Sequence, residues 1–574
     1  MPDTPTPIPS TPAKETKAQK MERPKLEKNP WETWDEVRQF AREGRESVVP
    51  EWANAYFKWW GIYTQGDGIG AVGGVGGEGK ATEYFMMRIG IPNGILTSEQ
   101  LHVIADLVQN HARGIGDITT RQNIQMHWLT IQSLPLVVDA LEKVGLSPKG
   151  ACGDVVRNVT GCPIAGHDSD ELLDASPLAQ RVAHVLTANP AFVTLPRKFK
   201  ISITGCPLWC SYPEINDVGL TGVERTVNGV REVGYSVRVG GGLSKEPHMA
   251  LRLNAFIPQD KAEQVCITVA EIFRDQLGLR ESRNHARLKY LFLREGWTAE
   301  SFLAELEKRM GVTFDPAPEE KVPADIYRDH TGVHRQKDAS RSYVGVSVSR
   351  GRLTSDQLRS LAALAEKYGS GELRATVQQN IILVNVPNGL VSELVKEIGE
   401  LGLHVEASNF WRGTVACTGT EFCKLAISET KGFAKWLVDE MDGRLPGFDQ
   451  QLRINVTGCP NSCGQHWIAD IGLEGKKIKK DGVMVDAFYF CLGGALGEYQ
   501  RVARAVGYRA SADEVPQAIE RLLQTYLSQR QPEENLRAYF ARFSDEELRG
   551  QLAGAVVAPV ERDLPTKPTP SNVG

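Results

Sequence analysis

The sequence predicts an α+β protein built from two pseudo-symmetric halves that arose by internal duplication. Three collinear pairs of similar segments support this prediction. Residues 96–101 match 353–358 (Leu-Thr-Ser-Glu/Asp-Gln-Leu), 119–124 match 376–381 (both containing Gln-Asn-Ile), and 204–222 match 457–475 (both beginning Thr-Gly-Cys-Pro). The offsets of 257, 257 and 253 residues are nearly constant. Each half therefore spans about 255 residues, which indicates duplication of a domain set and not a solenoid of short repeats.

The predicted elements follow the same order in both halves. An apolar strand leads into a helix whose start is marked by Thr-Ser-Glu or Thr-Ser-Asp, as in a capping sequence. A β-rich run and a second helix follow. The predicted ranges are 84–91, 124–131 and 136–144 in the first half, and 343–348, 381–386 and 390–401 in the second. This order predicts helices packed on a sheet, with a cysteine-bearing part after it in each half.

Composition limits the class of protein. A chain of 574 residues has room for about three or four domains. Its hydrophobic content of 41% and charged content of 24% exclude a membrane-spanning, collagen-like or wholly disordered chain. The net charge of -5 argues against nucleic-acid binding through bulk positive charge. The 10 cysteines are too sparse for a disulfide scaffold, and no secretory signal is evident, so we expect a cytoplasmic protein without a membrane or nucleic-acid partner.

Both ends and one internal segment have unusual composition. Residues 1–29 and 556–574 are rich in Pro and polar residues, which predicts mobile tails. The glycine-rich stretch 66–79 contains strings that resemble dinucleotide-binding and P-loop motifs, but Ala81 follows Lys80 where a P-loop needs Ser or Thr. We interpret this stretch as a surface loop, with a nucleotide site as the alternative.

Four cysteines of the second half predict a metal centre. Cys417 and Cys423 form one pair, and Cys459 and Cys463 form another about 35 residues later. The intervals are too irregular for a zinc ribbon but suit a [4Fe–4S] cluster. Unliganded structural cysteines are the alternative. The surrounding Gly, Pro, Thr and Asn residues are typical of turns, which favours ligation.

The motifs around these cysteines resemble those of the siroheme- and [4Fe–4S]-containing assimilatory nitrite and sulfite reductases. The similar segments are Cys-Thr-Gly-Thr-Glu-Phe-Cys at 417–423, Thr-Gly-Cys-Pro-Asn-Ser-Cys-Gly at 457–464 and Ala-Asp-Ile-Gly at 469–472. The resemblance covers about residues 31–555, including the duplication. It implies that Cys463 both ligates the cluster and bridges to the siroheme iron.

The resemblance also implies a domain organisation. A shared ferredoxin-like domain is formed by one half-domain from each repeat, and two α/β domains flank the siroheme and the cluster. The expected segments are 1–29 (disordered tail), 30–79 (N-terminal arm and glycine-rich loop), 80–145 (ferredoxin-like half-domain 1), 146–333 (siroheme-binding domain, repeat 1), 334–404 (ferredoxin-like half-domain 2), 405–555 ([4Fe–4S]/siroheme domain, repeat 2) and 556–574 (disordered tail).

Siroheme carries many carboxylates and the substrate is an oxyanion, so the site requires concentrated positive charge. The resemblance implies that Arg88, Arg157, Lys198 and Lys200 are catalytic and face the substrate side of the siroheme iron. It assigns siroheme binding to Arg121, Gln122, Asn123, Arg197 and Cys463. Taken singly, each cation is equally compatible with an ordinary surface charge.

The first half carries its own cysteines. Cys162, Cys206 and Cys210 align with three of the cluster cysteines, but Asp168 stands opposite Cys423. We interpret the first-half site as degenerate, with a second cluster as the alternative, because the family holds one cluster per chain. We expect the remaining cysteines, Cys152, Cys266 and Cys491, to be structural.

The resemblance implies six-electron reduction of an oxyanion, and the sequence favours nitrite narrowly over sulfite. The second half resembles the nitrite reductases of plants and cyanobacteria. Lys200 stands where those enzymes carry Asn, and the His-Trp pair at 127–128 resembles the sulfite enzymes. Sulfite reduction is therefore the alternative. A catalytically inactive paralogue that senses redox state is a further alternative, although no cluster cysteine and no expected cation is missing.

Electrons must come from another protein, because the sequence has no convincing flavin or nicotinamide motif. We expect a monomer that accepts electrons from ferredoxin, with a flavoprotein donor as the alternative. Acidic ferredoxins bind basic patches, and the run Lys-Lys-Ile-Lys-Lys at 476–480 is a candidate docking surface. A solvated charged turn is the alternative interpretation of this run.

Overall fold

The computed structural model describes residues 15–65, 83–323 and 328–555. The glycine-rich stretch 66–79, for which a surface loop is predicted, lies outside the described residues, as do 1–14 and the C-terminal segment 556–574. Among the described helices, none is long and apolar enough to span a lipid bilayer.

Each repeat begins with a half-domain that carries a five-stranded sheet. The first sheet contains, in spatial order, Ile62–Gln65, Tyr84–Ile89, Ile124–Leu129, Ile115–Ile118 and Arg352–Thr354. The second contains Gly332–Arg335, Arg341–Val346, Ile381–Pro387, Glu372–Ala375 and Ile95–Thr97. All strand pairs in these two sheets are antiparallel.

The two halves exchange one strand each. Arg352–Thr354 comes from the second repeat but pairs with Ile115–Ile118 of the first sheet. Reciprocally, Ile95–Thr97 of the first repeat pairs with Glu372–Ala375 of the second sheet. One hydrophobic core runs through both half-domains. The exchange confirms the prediction of one shared domain built from both repeats.

The second part of each repeat is a mixed sheet with its own core. In spatial order the first of these sheets contains Leu251–Ile257, Val230–Val239, Val218–Val227, Ile201–Thr204 and Thr160–Gly161. The other contains Thr414–Ala416, Ile454–Thr457, Ile471–Lys480, Val483–Leu492 and Arg504–Ser511. In both sheets three strands are parallel and the remaining pairs are antiparallel.

Helices cover the sheets, and their positions follow the predicted order. The predicted Thr-Ser-Glu/Asp starts are confirmed, because Thr97 and Thr354 form capping boxes with the third residue of each helix. The α-helices of the shared domain are Trp34–Glu43, Phe57–Trp59, Ser98–His111, Ser133–Lys143, Ser355–Tyr368 and Val391–Glu400. Those of the flanking domains are Ser176–Leu186, Ala262–Asp275, Tyr290–Leu293, Ala299–Met310, Asn409–Gly413, Lys431–Arg444, Val515–Gln529, Leu536–Ala541 and Asp545–Ala553.

Matched glycine contacts show that the duplication extends to the cysteine loops. A Cβ added at Gly222 would lie 3.0 Å from the Gly205 Cα, and one added at Gly475 would lie 3.0 Å from the Gly458 Cα. In both repeats, the first glycine of the loop that follows one strand packs against a glycine of the neighbouring parallel strand. The same close approach therefore shapes the cysteine loops in both repeats.

The N-terminal prediction is wrong for residues 15–29. A helix, Lys17–Glu27, begins at a capping box formed by Thr16. Lys25 from this helix is buried, and its Nζ lies 3.1 Å from a carboxylate oxygen of Asp154 and 3.0 Å from the Leu195 carbonyl oxygen. The composition is polar, but two long-range ion pairs, Lys25–Asp154 and Glu22–Arg280, fix the segment to the first repeat. The expected arm also contributes Ile62–Gln65, an edge strand of the first sheet.

The strand exchange predicts that the two half-domains unfold together. Leu353 is fully buried in the exchanged strand, so Leu353→Ala should destabilise the protein by about 2–5 kcal/mol through lost burial and a cavity. Hydrogen exchange under mild denaturant should show protection lost together in 84–143 and 341–400. Leu136→Ala is the control, because Leu136 is 60% exposed. Loss confined to 341–400 would contradict the account.

Candidate active site

The cluster cysteines lie at one edge of the second mixed sheet. Cys417 directly follows Thr414–Ala416, and Cys459 follows Ile454–Thr457 after one glycine. These two strands are parallel neighbours, so their carboxyl ends meet at the same edge of the sheet. Cys423 and Cys463 lie farther along the two loops. This topology brings both predicted cysteine pairs to one place.

The chemistry of the four thiols fits a metal cluster. Burial raises the pKa of Cys423 to about 12, and the negative charge of Cys463 acts in the same direction. Burial and Cys463 also raise the pKa values of Cys417 and Cys459. The Gly458 amide donates to the Cys417 Sγ at 3.2 Å. Without positive charge between them, four thiolates so close together would repel one another, and metal ions supply that charge.

A buried charge network holds the first cysteine loop. Arg352, in the exchanged strand, binds both oxygens of Asp117 at 2.8 and 3.1 Å and both oxygens of Glu421 at 2.9 and 3.0 Å. Glu421 lies between Cys417 and Cys423. Burial favours protonation of Asp117, but Lys431, His127 and Arg352 outweigh it and hold its pKa well below the usual range. The exchanged strand thus positions a cluster loop.

His127 belongs to this network and not to the substrate side. Its ring is fully buried, lies within 3.0 Å of Gln65 and 3.2 Å of Asp117, and stacks on Phe422 with ring centroids 3.9 Å apart. Trp128 contacts the same phenylalanine edge-on at 4.7 Å. The His-Trp pair therefore supports the cluster loop and carries no evidence about the substrate.

Two of the predicted catalytic arginines converge. Arg88 and Arg157 both donate to the carbonyl oxygen of Ala151, each at 3.2 Å. Arg157 also donates to the Gly153 carbonyl at 2.9 Å, and Arg88 lies 3.2 Å from the Cys152 Sγ. Carbonyl oxygens fix the two guanidinium groups side by side without neutralising them. Cys152, expected to be structural, lies in this cluster of charges.

Lys198 and Lys200 lie on the same side, near Cys463. Burial lowers the pKa of Lys198 to about 7. Arg197, Arg287 and Arg157 act in the same direction, and Cys463 opposes the shift. Burial, followed by Arg121 and Lys198, also lowers the pKa of Lys200. Among the described residues, no carboxylate forms an ion pair with either ammonium group, whereas Arg197 and Arg287 pair with Asp154 and Asp217. Both lysines therefore lack a carboxylate counter-ion.

Arg121 approaches the cluster from the first half. Neighbouring Thr120 donates to the carbonyl oxygen of Cys463 at 3.2 Å. Burial, Arg157 and other cations lower the pKa of Arg121 to about 9. Its guanidinium is partly engaged, since it donates to Asn216 at 2.9 Å and to the Asn158 carbonyl at 2.5 Å.

Three other residues expected to bind siroheme have different environments. The fully buried Gln122 donates to the backbone carbonyls of Asn93, Gly161 and Ala375 at 3.0–3.3 Å. Arg197 forms an ion pair with Asp154 at 3.1 Å. Asn123 is buried, and its side-chain oxygen has no hydrogen-bond partner among the described residues. Gln122 and Arg197 therefore have structural partners, whereas Asn123 has spare capacity.

Two further residues of the site could not be predicted from the sequence. Tyr63 lies beside Cys152, Arg157 and Arg88, and burial with Cys152 raises its pKa to about 12. Arg287 binds Asp217 at 2.7 Å and adds to the positive field around both lysines. Neither residue belongs to a motif that the sequence singled out. Folding brings Tyr63 and Arg287 to the site from parts of the sequence outside those motifs.

The site fits an anionic macrocycle next to the cluster. Cys463 is exposed, whereas the other three cluster cysteines are half-buried or buried. Several cations are grouped on this side of the site: Arg88, Arg121, Arg157, Lys198 and Lys200. Carboxylates of siroheme and a bound oxyanion would supply the negative charge that the described residues lack.

Comparison with protein families identifies both parts of each repeat. The description "Nitrite and sulphite reductase 4Fe-4S domain" matches residues 152–314 and 407–556. The description "Nitrite/Sulfite reductase ferredoxin-like half domain" matches 78–144 and 334–401. The matches include more than half of the chain and occur once in each repeat.

Individual relatives match over most of their length. An assimilatory ferredoxin-dependent nitrite reductase of Haloferax mediterranei is 38% identical, covering 86% of this chain and 87% of the relative. Sulfite reductase [ferredoxin] 1 of Mycolicibacterium paratuberculosis is 35% identical, covering 89% and 92%. The solved structure of the Mycobacterium tuberculosis NirA protein matches with a TM-score of 0.86 at 32% identity, covering 92% and 97%.

Removing the central carboxylate of the loop network should loosen the cluster. Asp117→Asn leaves Arg352 and Lys431 buried without their shared anion, which should cost about 3–5 kcal/mol. We expect the cluster absorbance to decay several-fold faster in the presence of an iron chelator. The control is Asp106→Asn, which removes an exposed Asp–Arg pair between the same two repeats. Equal decay rates in both variants would refute a positioning role for Asp117.

Proposed function

The chain belongs to the nitrite and sulfite reductase family, whose cofactors are siroheme and a [4Fe–4S] cluster, and we propose that it reduces nitrite to ammonia. The reaction consumes six electrons, which we assign to ferredoxin as the donor. Relatives named as ferredoxin-dependent nitrite reductases support this assignment, with 38% and 36% identity. We further propose a cytoplasmic monomer, since one chain contains every cysteine and cation of the site.

The observation that supports this function best is the group of cations facing Cys463. Lys198 and Lys200 have no anionic partner among the described residues, and Arg88 and Arg157 are held only by neutral acceptors. An oxyanion placed there gains several favourable interactions at once. A redox-sensing paralogue would have no need for this arrangement.

The cysteines provide the route for electrons. We propose that Cys417, Cys423, Cys459 and Cys463 would hold the cluster, and that Cys463 would also help to hold the siroheme. When bound, siroheme supplies an iron that binds the oxyanion and passes electrons to it. The Arg121 guanidinium and the N–H groups of the Asn123 amide would orient the macrocycle by donating hydrogen bonds to its carboxylates. The assignment of Gln122 and Arg197 to siroheme binding stays a prediction, and both also have partners within the chain.

The cations would have two different roles, orienting the anion and transferring protons. Arg88 and Arg157 present donors in a fixed arrangement, so they would orient the anion and offset charge on departing oxygens. Lys198 has a pKa lowered by burial to about 7, so it can both hold and release a proton near neutral pH. Tyr63 stays protonated at neutral pH, because burial raises its pKa to about 12.

Sulfite is the second candidate substrate. The specific observation in its favour is the presence of two lysines, Lys198 and Lys200, where a dianion gains about twice the Coulomb energy of a monoanion. Relatives named sulfite reductases are 34–35% identical to this chain. Nitrite remains the proposal because the nitrite reductases named above are slightly more similar.

The expected ferredoxin docking surface needs revision. In the basic run at 476–480, Lys476 pairs with Glu474 at 3.0 Å, Lys477 pairs with Asp486, and Lys480 pairs with Asp513 at 2.9 Å. Carboxylates of this chain thus offset most of its charge. We propose instead that ferredoxin docks around Leu425, which is 53% exposed and lies two residues from Cys423. Docking there shortens the path to the cluster.

Removing the Lys198 charge should impair the reaction and leave the cofactors in place. For Lys198→Met we expect kcat/KM for nitrite to fall about 100-fold, as after loss of one charge-stabilising donor. The absorption spectrum of the anaerobically purified protein should stay unchanged. Lys261→Met, at an exposed surface lysine, is the matched control. Full activity in Lys198→Met would remove Lys198 from the mechanism.

The charge of Lys200 should discriminate between the two anions. Burial lowers the pKa of Lys200, but a bound anion favours its charged form, so Lys200→Asn removes one positive charge from the substrate complex. The dianion sulfite then loses about twice as much free energy as the monoanion nitrite at equal distance. We therefore expect about a 10-fold loss in kcat/KM for nitrite and about a 100-fold loss for sulfite at mildly alkaline pH. Both substrates are measured with reduced ferredoxin. Faster turnover of sulfite than nitrite by the unmodified enzyme would overturn the substrate assignment.

A further inference from the structure

The cysteines of the first repeat form a buried cluster of potential metal ligands. The donor atoms of Cys162, Cys210 and His330 lie within 4.8 Å of one another, and so do those of Cys162, Cys206 and Asp168. The three thiols are also within hydrogen-bonding reach of one another. Cys162 belongs to both groups and is fully buried.

The fold brings these cysteines together in the same way as the cluster cysteines. Cys162 follows Thr160–Gly161, and Cys206 follows Ile201–Thr204. The two strands are parallel neighbours, so their carboxyl ends meet at one edge of the first mixed sheet. This edge is related by the duplication to the edge that carries Cys417 and Cys459.

The environment of the His330 ring indicates that it binds a ligand. It is 3% exposed, and neither ring nitrogen has a hydrogen-bond partner among the described residues. Its backbone has a φ of 60°, a left-handed conformation that costs energy in a residue other than glycine. Gly345 allows this placement, since a Cβ there would lie 1.7 Å from the His330 carbonyl oxygen. A buried imidazole without partners is costly unless something binds it.

Asp168 differs from His330 in having a partner. Both of its oxygens accept hydrogen bonds from Arg328, at 3.0 and 3.1 Å. The same guanidinium lies 3.9 Å from the Cys206 Sγ. Arg328 therefore satisfies the carboxylate and places a positive charge beside the thiols. The carboxylate thus has a charged partner, whereas the imidazole has no partner among the described residues.

We propose that Cys162, Cys206, Cys210 and His330 bind one tetrahedral Zn²⁺ ion. Cys206 and His330 belong to different groups that share Cys162, so binding requires side-chain movements that bring both around the same ion. Three cysteines with one histidine is an established donor set for structural zinc. Three thiolates on one Zn²⁺ ion leave a net charge of -1, which Arg328 offsets from outside the ligand set.

The spacing favours a single ion over a second iron–sulfur cube. Sulfurs on one tetrahedral Zn²⁺ ion lie about 3.8 Å apart, as follows from Zn–S bonds of about 2.3 Å. In a cube each thiolate binds a different iron, so the sulfurs stand farther apart. Among the described residues, groups of donors within 4.8 Å form around Cys162, and the second-repeat cysteines form no such group.

The ion would connect the two repeats. His330 lies just before the strand Gly332–Arg335, at the entrance to the second half-domain. The three cysteines pack against Tyr343, Ile382 and Val384 of that half-domain. Zinc bound here would fasten the cysteine loops of the first repeat to the sheet of the second. Its role would be structural, since the first-repeat cysteines and His330 offer four protein ligands and leave no open position.

Metal analysis of the full-length holoenzyme tests the proposal. Protein purified anaerobically without chelators should contain about one zinc per chain in addition to its iron. In His330→Ala and Cys210→Ser, zinc should fall to less than about 0.2 per chain while the iron content stays the same. Cys266→Ser is the matched control, because Cys266 is also buried in the first repeat but lies in the helix Ala262–Asp275. This control should keep its zinc.

A second measurement needs no variant and remains valid if the substitutions prevent folding. X-ray absorption at the zinc edge of the unmodified protein should show about three sulfurs near 2.3 Å and one nitrogen near 2.0–2.1 Å. Absence of zinc from the unmodified protein would overturn the proposal. An iron content high enough for a second cluster would overturn it as well, as would zinc retained in both variants.

Discussion

The two repeats exchange one short strand each, and the rest of the structure depends on this exchange. Arg352–Thr354 leaves its own repeat to complete the sheet of the other, and Ile95–Thr97 does the reverse. Arg352 thereby reaches both Asp117 and the cluster-loop residue Glu421. The shared core, the loop that carries Cys417 and Cys423, and the first-half cations are thus fixed relative to one another. Neither repeat could assemble this site alone.

The two repeats use the same framework for different chemistry. In each, a cysteine follows the first of two parallel strands and a Gly-Cys pair follows the second. In the second repeat no three of the four cysteine sulfurs lie within 4.8 Å of one another, and Cys463 is exposed. The first repeat keeps three thiols in contact, buried beside His330, and Asp168 stands in place of the fourth. The two sites therefore differ in the exposure of their cysteines and in the spacing of their sulfur atoms, although their motifs are similar.

Much of this organisation could be predicted from the sequence. The duplication, the order of strands and helices and the convergence of the cluster cysteines follow from local patterns and repeated motifs. Long-range contacts were not predictable. The polar composition of residues 15–29 concealed a helix fixed by the Lys25–Asp154 ion pair. Gln122 lies in a matching motif, yet its amide bonds only backbone groups. Tyr63 and Arg287 reach the site through folding alone, so no motif revealed them.

The central claim is that Cys463 joins the cluster to siroheme within a group of cations that binds the substrate anion. Mössbauer spectroscopy of protein enriched in ⁵⁷Fe tests this claim most directly, because iron atoms that share a thiolate bridge are magnetically coupled. We predict that the siroheme iron and the cluster iron give one coupled spectrum in the unmodified protein. Two independent spectra, or a cluster without siroheme, would contradict the account.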